Sequence, residues 1–160
     1  MELTGTTAGG LAITLTARVK CEAWVIFNSE HHAYSSGRFV FNEIVVDKPA
    51  NCKVTGGKFT THVLSGEAVE VKSLPTELAV WYKPAVGTLL AEFEFEGAEC
   101  AVAELVVPLS GTIAAEVEPL NVFKEIQPYR FNSTTQKDVG TKLQVGGGGA
   151  TLTGVVEFHF

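Results

Sequence analysis

Apolar and polar positions alternate along much of this chain. Leu11, Ile13, Leu15, Ala17, Val19 and Cys21 are apolar, and Thr14, Thr16, Arg18, Lys20 and Glu22 fill the gaps. The same beat sets Leu89, Ala91, Phe93 and Phe95 against Thr88, Glu92, Glu94 and Glu96. It returns with Leu152, Gly154, Val156, Phe158 and Phe160 against Thr151, Thr153, Glu157 and His159. Successive side chains of a strand project to opposite faces, so each run makes a ribbon with one dry face and one wet face.

Turn signals punctuate these runs: Gly9-Gly10, Asn28-Ser29-Glu30, Ser35-Ser36-Gly37, Asp47-Lys48-Pro49, Gly56-Gly57, Ser65-Gly66, Pro84 with Gly87, Gly97 and Ser110-Gly111. Each tolerates positive φ, fixes φ, or mimics a backbone turn with its side chain. The pattern predicts about a dozen strands, among them 11–20, 22–28, 38–46, 88–96, 100–108, 128–132 and 150–160. That number favours two packed sheets over one. No window of helical length carries a 3.6-residue apolar period, and 118–125 has room for one short turn. The expected fold is all-β: a two-sheet antiparallel sandwich of jelly-roll or immunoglobulin-like type, with a flattened barrel as the alternative. It forms one domain over 1–160, with 1–10 a possible extended arm and the glycine run 146–149 a hairpin connection.

Composition narrows the function. At 160 residues and 46% hydrophobic, the chain can bury one core. Its net charge of −6, with scattered Lys and Arg, argues against nucleic acid, whose phosphates need clustered cations. No apolar run is long enough to cross a bilayer, so membrane insertion is not expected. Met1-Glu2-Leu3-Thr4-Gly5-Thr6-Thr7 lacks the charged start and apolar middle of a signal peptide, so either the protein stays where it is made or a leader has been removed. Three cysteines, Cys21, Cys52 and Cys100, allow one internal disulfide in three pairings or three buried thiols. Cys52–Cys100 is the preferred pair, because each opens an apolar run after a polar turn.

Candidate chemistry is sparse. Glu30, His31 and His32 are the best metal ligands on offer, provided a turn brings the adjacent histidines to one side. Glu92, Glu94 and Glu96 form an acidic ladder on one strand face, read either as solvated side chains facing Lys or Thr or as a carboxylate pair for glycoside hydrolysis. His62 and His159 are isolated. Trp24, Trp81, Tyr34, Tyr82 and Tyr129 are candidates for a carbohydrate platform, and Trp81-Tyr82 sends two large rings to opposite faces. Asn132-Ser133-Thr134 matches a glycosylation acceptor. Neither a G-x-S-x-G elbow nor a phosphate loop occurs, so no cofactor and no enzymatic activity are expected.

Four segments carry a resemblance. They are Cys52-Lys53-Val54-Thr55-Gly56-Gly57 with Thr60-Thr61, Tyr82-Lys83-Pro84-Ala85-Val86-Gly87-Thr88-Leu89 with Glu92-Phe93, Glu116-Val117-Glu118-Pro119-Leu120-Asn121, and Ala150-Thr151-Leu152-Thr153-Gly154. Together they resemble a family of uncharacterised, β-rich, often secreted actinobacterial proteins. The resemblance implies a β-rich fold and brings no catalytic residues with it. Two roles head the expectations. One is a non-enzymatic extracellular or cell-surface module that builds or binds, a surface glycan being one partner. The other is an assembly subunit of a virion or filament, in which the terminal strand, with Phe158 and Phe160 on its dry face, pairs with a second copy. A glycoside-directed hydrolase or lectin ranks below both.

Overall fold

The computed structural model describes residues 1–28, 33–71, 74–117 and 125–159. Among them the chain forms β1 (Glu2–Thr6), β2 (Ala12–Asn28), β3 (Ala33–Lys48), β4 (Lys53–Val54), β5 (Phe59–Thr60), β6 (Leu64–Val71) and β7 (Leu74–Pro84). Then follow β8 (Leu89–Glu96), β9 (Val106–Gly111), β10 (Ile113–Val117), β11 (Ile126–Phe131), a short helix α1 (Ser133–Val139), β12 (Leu143–Val145) and β13 (Gly148–His159). The fold is all-β.

Eight strands close a ring in the order β1-β2-β3-β6-β7-β10-β11-β13, and β13 pairs back onto β1. A smaller sheet, β12-β9-β8-β4, branches from the start of β13. The architecture therefore combines the two that the pattern predicts: a barrel-like ring with a second sheet sharing its core. β13 serves both parts. Gly148 and Gly149 pair with β12, Ala150 to Thr153 pair with β1, and Gly154 to His159 pair with β11.

Irregularities bend the long β2–β3 ribbon. Register shifts fall between Thr16 and Arg18 and between Glu22 and Val25, where Glu43 and Ala23 take φ of 51° and 53°. Such bulges sharpen twist and let a ribbon curl toward closure. The one at Ala23 explains why the expected strands 11–20 and 22–28 are a single strand.

The alternating apolar faces meet in one core. Phe39 lies at the ring's centre, with ring centroids 5.0 Å from Trp24, 5.3 Å from Tyr82 and 6.1 Å from both Phe131 and Phe158. Trp24 lies flat over Gly37, where a Cβ would come within 2.4 Å of the indole, so this position admits only glycine. The indole N–H donates to the Arg38 carbonyl at 2.8 Å. Phe59 couples the two sheets, stacking on Phe41 of β3 at 4.7 Å and on Phe93 of β8 at 5.2 Å. Cys52 and Cys100 form a disulfide that ties the segment before β4 to the turn after β8.

Several local expectations are corrected. Cys100 sits in a turn, and the strand expected over 100–108 begins only at Val106. Glu2–Thr6, in the stretch read as a possible arm, is a wall strand. The run 146–149, read above as a hairpin connection, makes a tight one: Val145 faces Gly148, and Gly146 and Gly147 supply the two positive φ values, 54° and 81°, that such a turn needs. Helix α1 has no apolar period and depends on its ends. Asn132 Oδ1 accepts from the Thr135 N–H at 2.7 Å, and Gly140, at φ 79°, donates to the Gln136 and Lys137 carbonyls. The Asn132 amide also donates to Glu116 at 3.2 Å, so the one glycosylation-type asparagine spends its side chain on the cap. The turn expected over 118–125 lies almost wholly outside the described residues.

Phe39→Ala removes the ring on which four other aromatics converge. It should cost about 3–5 kcal/mol and lower the urea midpoint with the slope unchanged. A loss below about 1 kcal/mol would show that this cluster does not hold the ring together.

Candidate functional site

The three strands at the ring's closure differ in length. β1 has 5 residues, while its neighbours β2 and β13 have 17 and 12. β1 lies between them only as far as Met1. There the Met1 ammonium donates to the Ala17 carbonyl at 3.1 Å, and the Ala17 N–H donates to the Met1 carbonyl at 2.9 Å. Past that point, among the described residues, no strand lies between residues 17–28 of β2 and residues 155–159 of β13.

The result is a surface groove of about 600 Å³ lined by Met1, residues 17–21, Val155, Glu157 and His159. Its edges follow from the register. Ala17 turns its backbone toward β1, so by alternation Val19 and Cys21 turn theirs into the groove. On the far side Glu2 faces Thr153 and Thr4 faces Thr151, so Val155, Glu157 and His159 turn their N–H and C=O groups inward as well. The groove is therefore bordered by two strand edges whose ladder groups have no strand to pair with among the described residues.

One contact crosses it. The Cys21 thiol donates to the Glu157 carbonyl at 3.7 Å. Burial pushes this thiol up to about 12, so it stays protonated and neutral over the ordinary pH range. Behind it stand Tyr82 and Tyr129. Burial raises both hydroxyls, Tyr129 and Cys21 raise Tyr82 further, and Cys21 raises Tyr129 further. On the outer rim Glu157 and His159 lie 3.6 Å apart and exposed, Arg18 pairs with Glu43 at 2.9 Å, and Lys20 is exposed with no ion-pair partner among the described residues.

The aromatic candidates separate. Tyr82 is buried inside the ring, with Trp24 half-buried against it at 5.5 Å. Tyr34 is exposed at one mouth, beside a recess of about 90 Å³ backed by Tyr82, Tyr129 and Phe158. Trp81 faces the other way, with the Lys83 ammonium 5.2 Å from its ring. They do not form one exposed platform. Phe158 is buried against Trp24 and Tyr129 instead of lying on a free strand face, and Phe160 lies outside the described residues. Glu30, His31 and His32 also lie outside them. Elsewhere, among the described residues, no three His, Cys, Asp or Glu side chains gather closely enough to hold a metal. Glu92 and Glu96 are exposed, and Glu96 faces Lys53 across the β4–β8 pair.

Sequence reasoning did not find the groove. Its trace in the sequence is the unequal length of three alternating runs, and Glu2-Leu3-Thr4-Gly5-Thr6 is too short to be recognised as a strand by pattern alone. Comparison with known proteins finds no matching family model, no matching curated protein and no matching solved structure.

The Cys21 assignment carries a sign. The folded thiol ionises at a higher pH than its ordinary value of 9.0. The stability it confers is complete below that ordinary value and is lost as pH climbs toward about 12. Alkylation of the folded protein by iodoacetamide should therefore keep accelerating through pH 10 without a plateau. A plateau near pH 9 would mean the thiol is solvated like that of a free cysteine.

Proposed function

We propose that this chain is a non-enzymatic β module that acts outside the cell or at its surface and works by binding a partner at the open seam. The groove is the observation that carries the reading. At about 600 Å³ it falls within the range of ligand sites, and strand edges border it on both sides. Its lining suits holding better than turnover: the thiol is kept neutral, and Lys20, Glu157 and His159 lie exposed in water. The Cys52–Cys100 disulfide supports an oxidising compartment, as does the resemblance to proteins that are often secreted.

A protein partner is favoured over a glycan. Sugar platforms need aromatic faces turned outward together, and here Trp24 and Tyr82 face into the ring while Trp81 faces away from it.

The test uses protein secreted from the source cells or added to their surface. Wild-type protein should be retained by the cell exterior. Val155→Arg should reduce retention at least tenfold, since Val155 lines the groove, is 45% exposed and tolerates the larger side chain. Val86→Arg, at a position 87% exposed and outside the groove lining, should leave retention unchanged. Equal retention of all three proteins, or hydrolysis of a glycan panel that disappears in a Glu92→Gln, Glu94→Gln double variant, would overturn the reading.

A further inference from the structure

We infer that the recess at the mouth of the ring is a second binding site, and that it takes a neutral small molecule whose compact apolar end carries a carbonyl oxygen for the Tyr82 and Tyr129 hydroxyls. The recess shares no lining residue with the groove, so this site stands apart from the binding role proposed there.

An eight-stranded ring has an interior that side chains fill or that holds one small ligand. Here Phe39, Trp24, Tyr82 and Phe131 pack its middle. Beside them the wall thins. The register sets Ile26 opposite Ser35, Ser35 opposite Gly66 and Gly66 opposite Tyr82, so these four share the inner face. Ala68 and Val80 are the next pair on that face, two residues further along β6 and two back along β7. Ser35, Gly66 and Ala68 are all small, and they leave about 90 Å³ beside Tyr82, Tyr129 and Phe158. At Gly66 a Cβ would come within 2.4 Å of the Ser35 hydroxyl and 2.8 Å of the Tyr82 ring, so the wall admits nothing larger there.

The chemistry of the lining selects the occupant. Tyr82 is 1% exposed, and its hydroxyl makes no hydrogen bond among the described residues. Of the buried side-chain nitrogens and oxygens in those residues, only the Asn42 amide nitrogen is both sealed off and without a partner. The Tyr82 hydroxyl therefore opens into the recess that its side chain lines. An unmet buried hydroxyl is costly, and an atom that enters the recess can meet it. Tyr129 lines the same recess and is half-buried. Burial raises both hydroxyls, so they stay protonated and can donate. A carbonyl oxygen has two lone pairs and can accept from both. Ile26, Ala68, Val80 and Phe158 make the rest of the lining largely apolar, and among the described residues no Lys, Arg or His lines it. A charged group would lose its water there without gaining a counter-ion. Size sets the remainder. A closed cavity of about 150 Å³ accepts benzene. At about 90 Å³ and open at the mouth, the recess takes the carbonyl end of a small ring or branched chain and leaves the other end beside Ile26 and Tyr34, which are 43% and 42% exposed.

The experiment is a titration of isotope-labelled protein with cyclohexanone, followed by backbone and methyl NMR. Shifts should saturate and concentrate on Ile26, Ser35, Ala68 and Val80. Methylenecyclohexane has the same shape with a CH₂ group in place of the carbonyl oxygen, and it should bind on the order of fivefold more weakly. Tyr82→Phe should weaken cyclohexanone by a similar factor and leave methylenecyclohexane no weaker, and it removes no hydrogen bond that the described residues make. Ala68→Leu, at an exposed position of the lining, should fill the recess and abolish binding of both probes. Val86→Arg, outside the lining, should bind both as the wild type does. Three outcomes overturn the assignment. The first is no saturable shift at tens of millimolar cyclohexanone. The second is shifts centred on Val19 and Val155 in the groove. The third is equal binding of the two probes by wild type and by Tyr82→Phe, which would leave an apolar dent with no polar recognition.

Discussion

The ring depends on β1. Five residues supply the ladder that joins the first long strand to the last, and without that pairing β2 and β13 would be two open edges instead of one closed wall. Closure removes strand edges most completely when every wall strand is as long as its neighbours. Here β1 is shorter than both neighbours, so among the described residues the closing ladder runs only along β1. The aromatic cluster around Phe39 and the bulges at Ala23 and Glu43 shape or brace the same ring, and the disulfide ties the segment before β4 to the turn after β8 in the smaller sheet. The groove lies where, among the described residues, no strand stands between β2 and β13.

This arrangement combines two opposing demands. The ring needs β2 and β13 to stay close, and the thiol of Cys21 bridges them while burial keeps it neutral. An accessible strand edge, in contrast, requires that no protein strand fills the space between them. A single weak sulfur donor reaches one carbonyl, that of Glu157, at 3.7 Å. The exposed charges on Lys20, Glu157 and His159 fit the way proteins protect strand edges from indiscriminate pairing.

The alternating strands were legible in the sequence because a buried face forces a two-residue period. Leu11 through Cys21, Leu89 through Phe95 and Leu152 through Phe158 all enter strands or flank them as their pattern implies. Trp81-Tyr82 was legible as a pair of opposed rings, and the structure turns Tyr82 inward and Trp81 outward. Helix α1 was hidden because it is specified by Asn132 and Gly140 at its ends and not by periodicity. The turn at Cys100 was hidden because Cys100-Ala101-Val102-Ala103 and Leu105-Val106-Val107 make a nearly continuous apolar run like that of a buried strand, while the backbone at 100–105 folds into turns, with Glu104 at φ 69°. The groove was hidden for a different reason. It is a property of three strands brought together from the two ends of the chain, and no local pattern encodes how their lengths compare.

Hydrogen exchange of the backbone amides in the free protein tests the open-seam account most directly. Leu3 and Thr4, inside the closing ladder, should exchange as slowly as the amides of the core strands. The amides of Val19, Cys21, Val155 and Glu157, which face the groove, should exchange faster by on the order of 100-fold or more. Equal protection of both sets would mean that β2 and β13 are joined along their whole length, and that the barrel has no open seam.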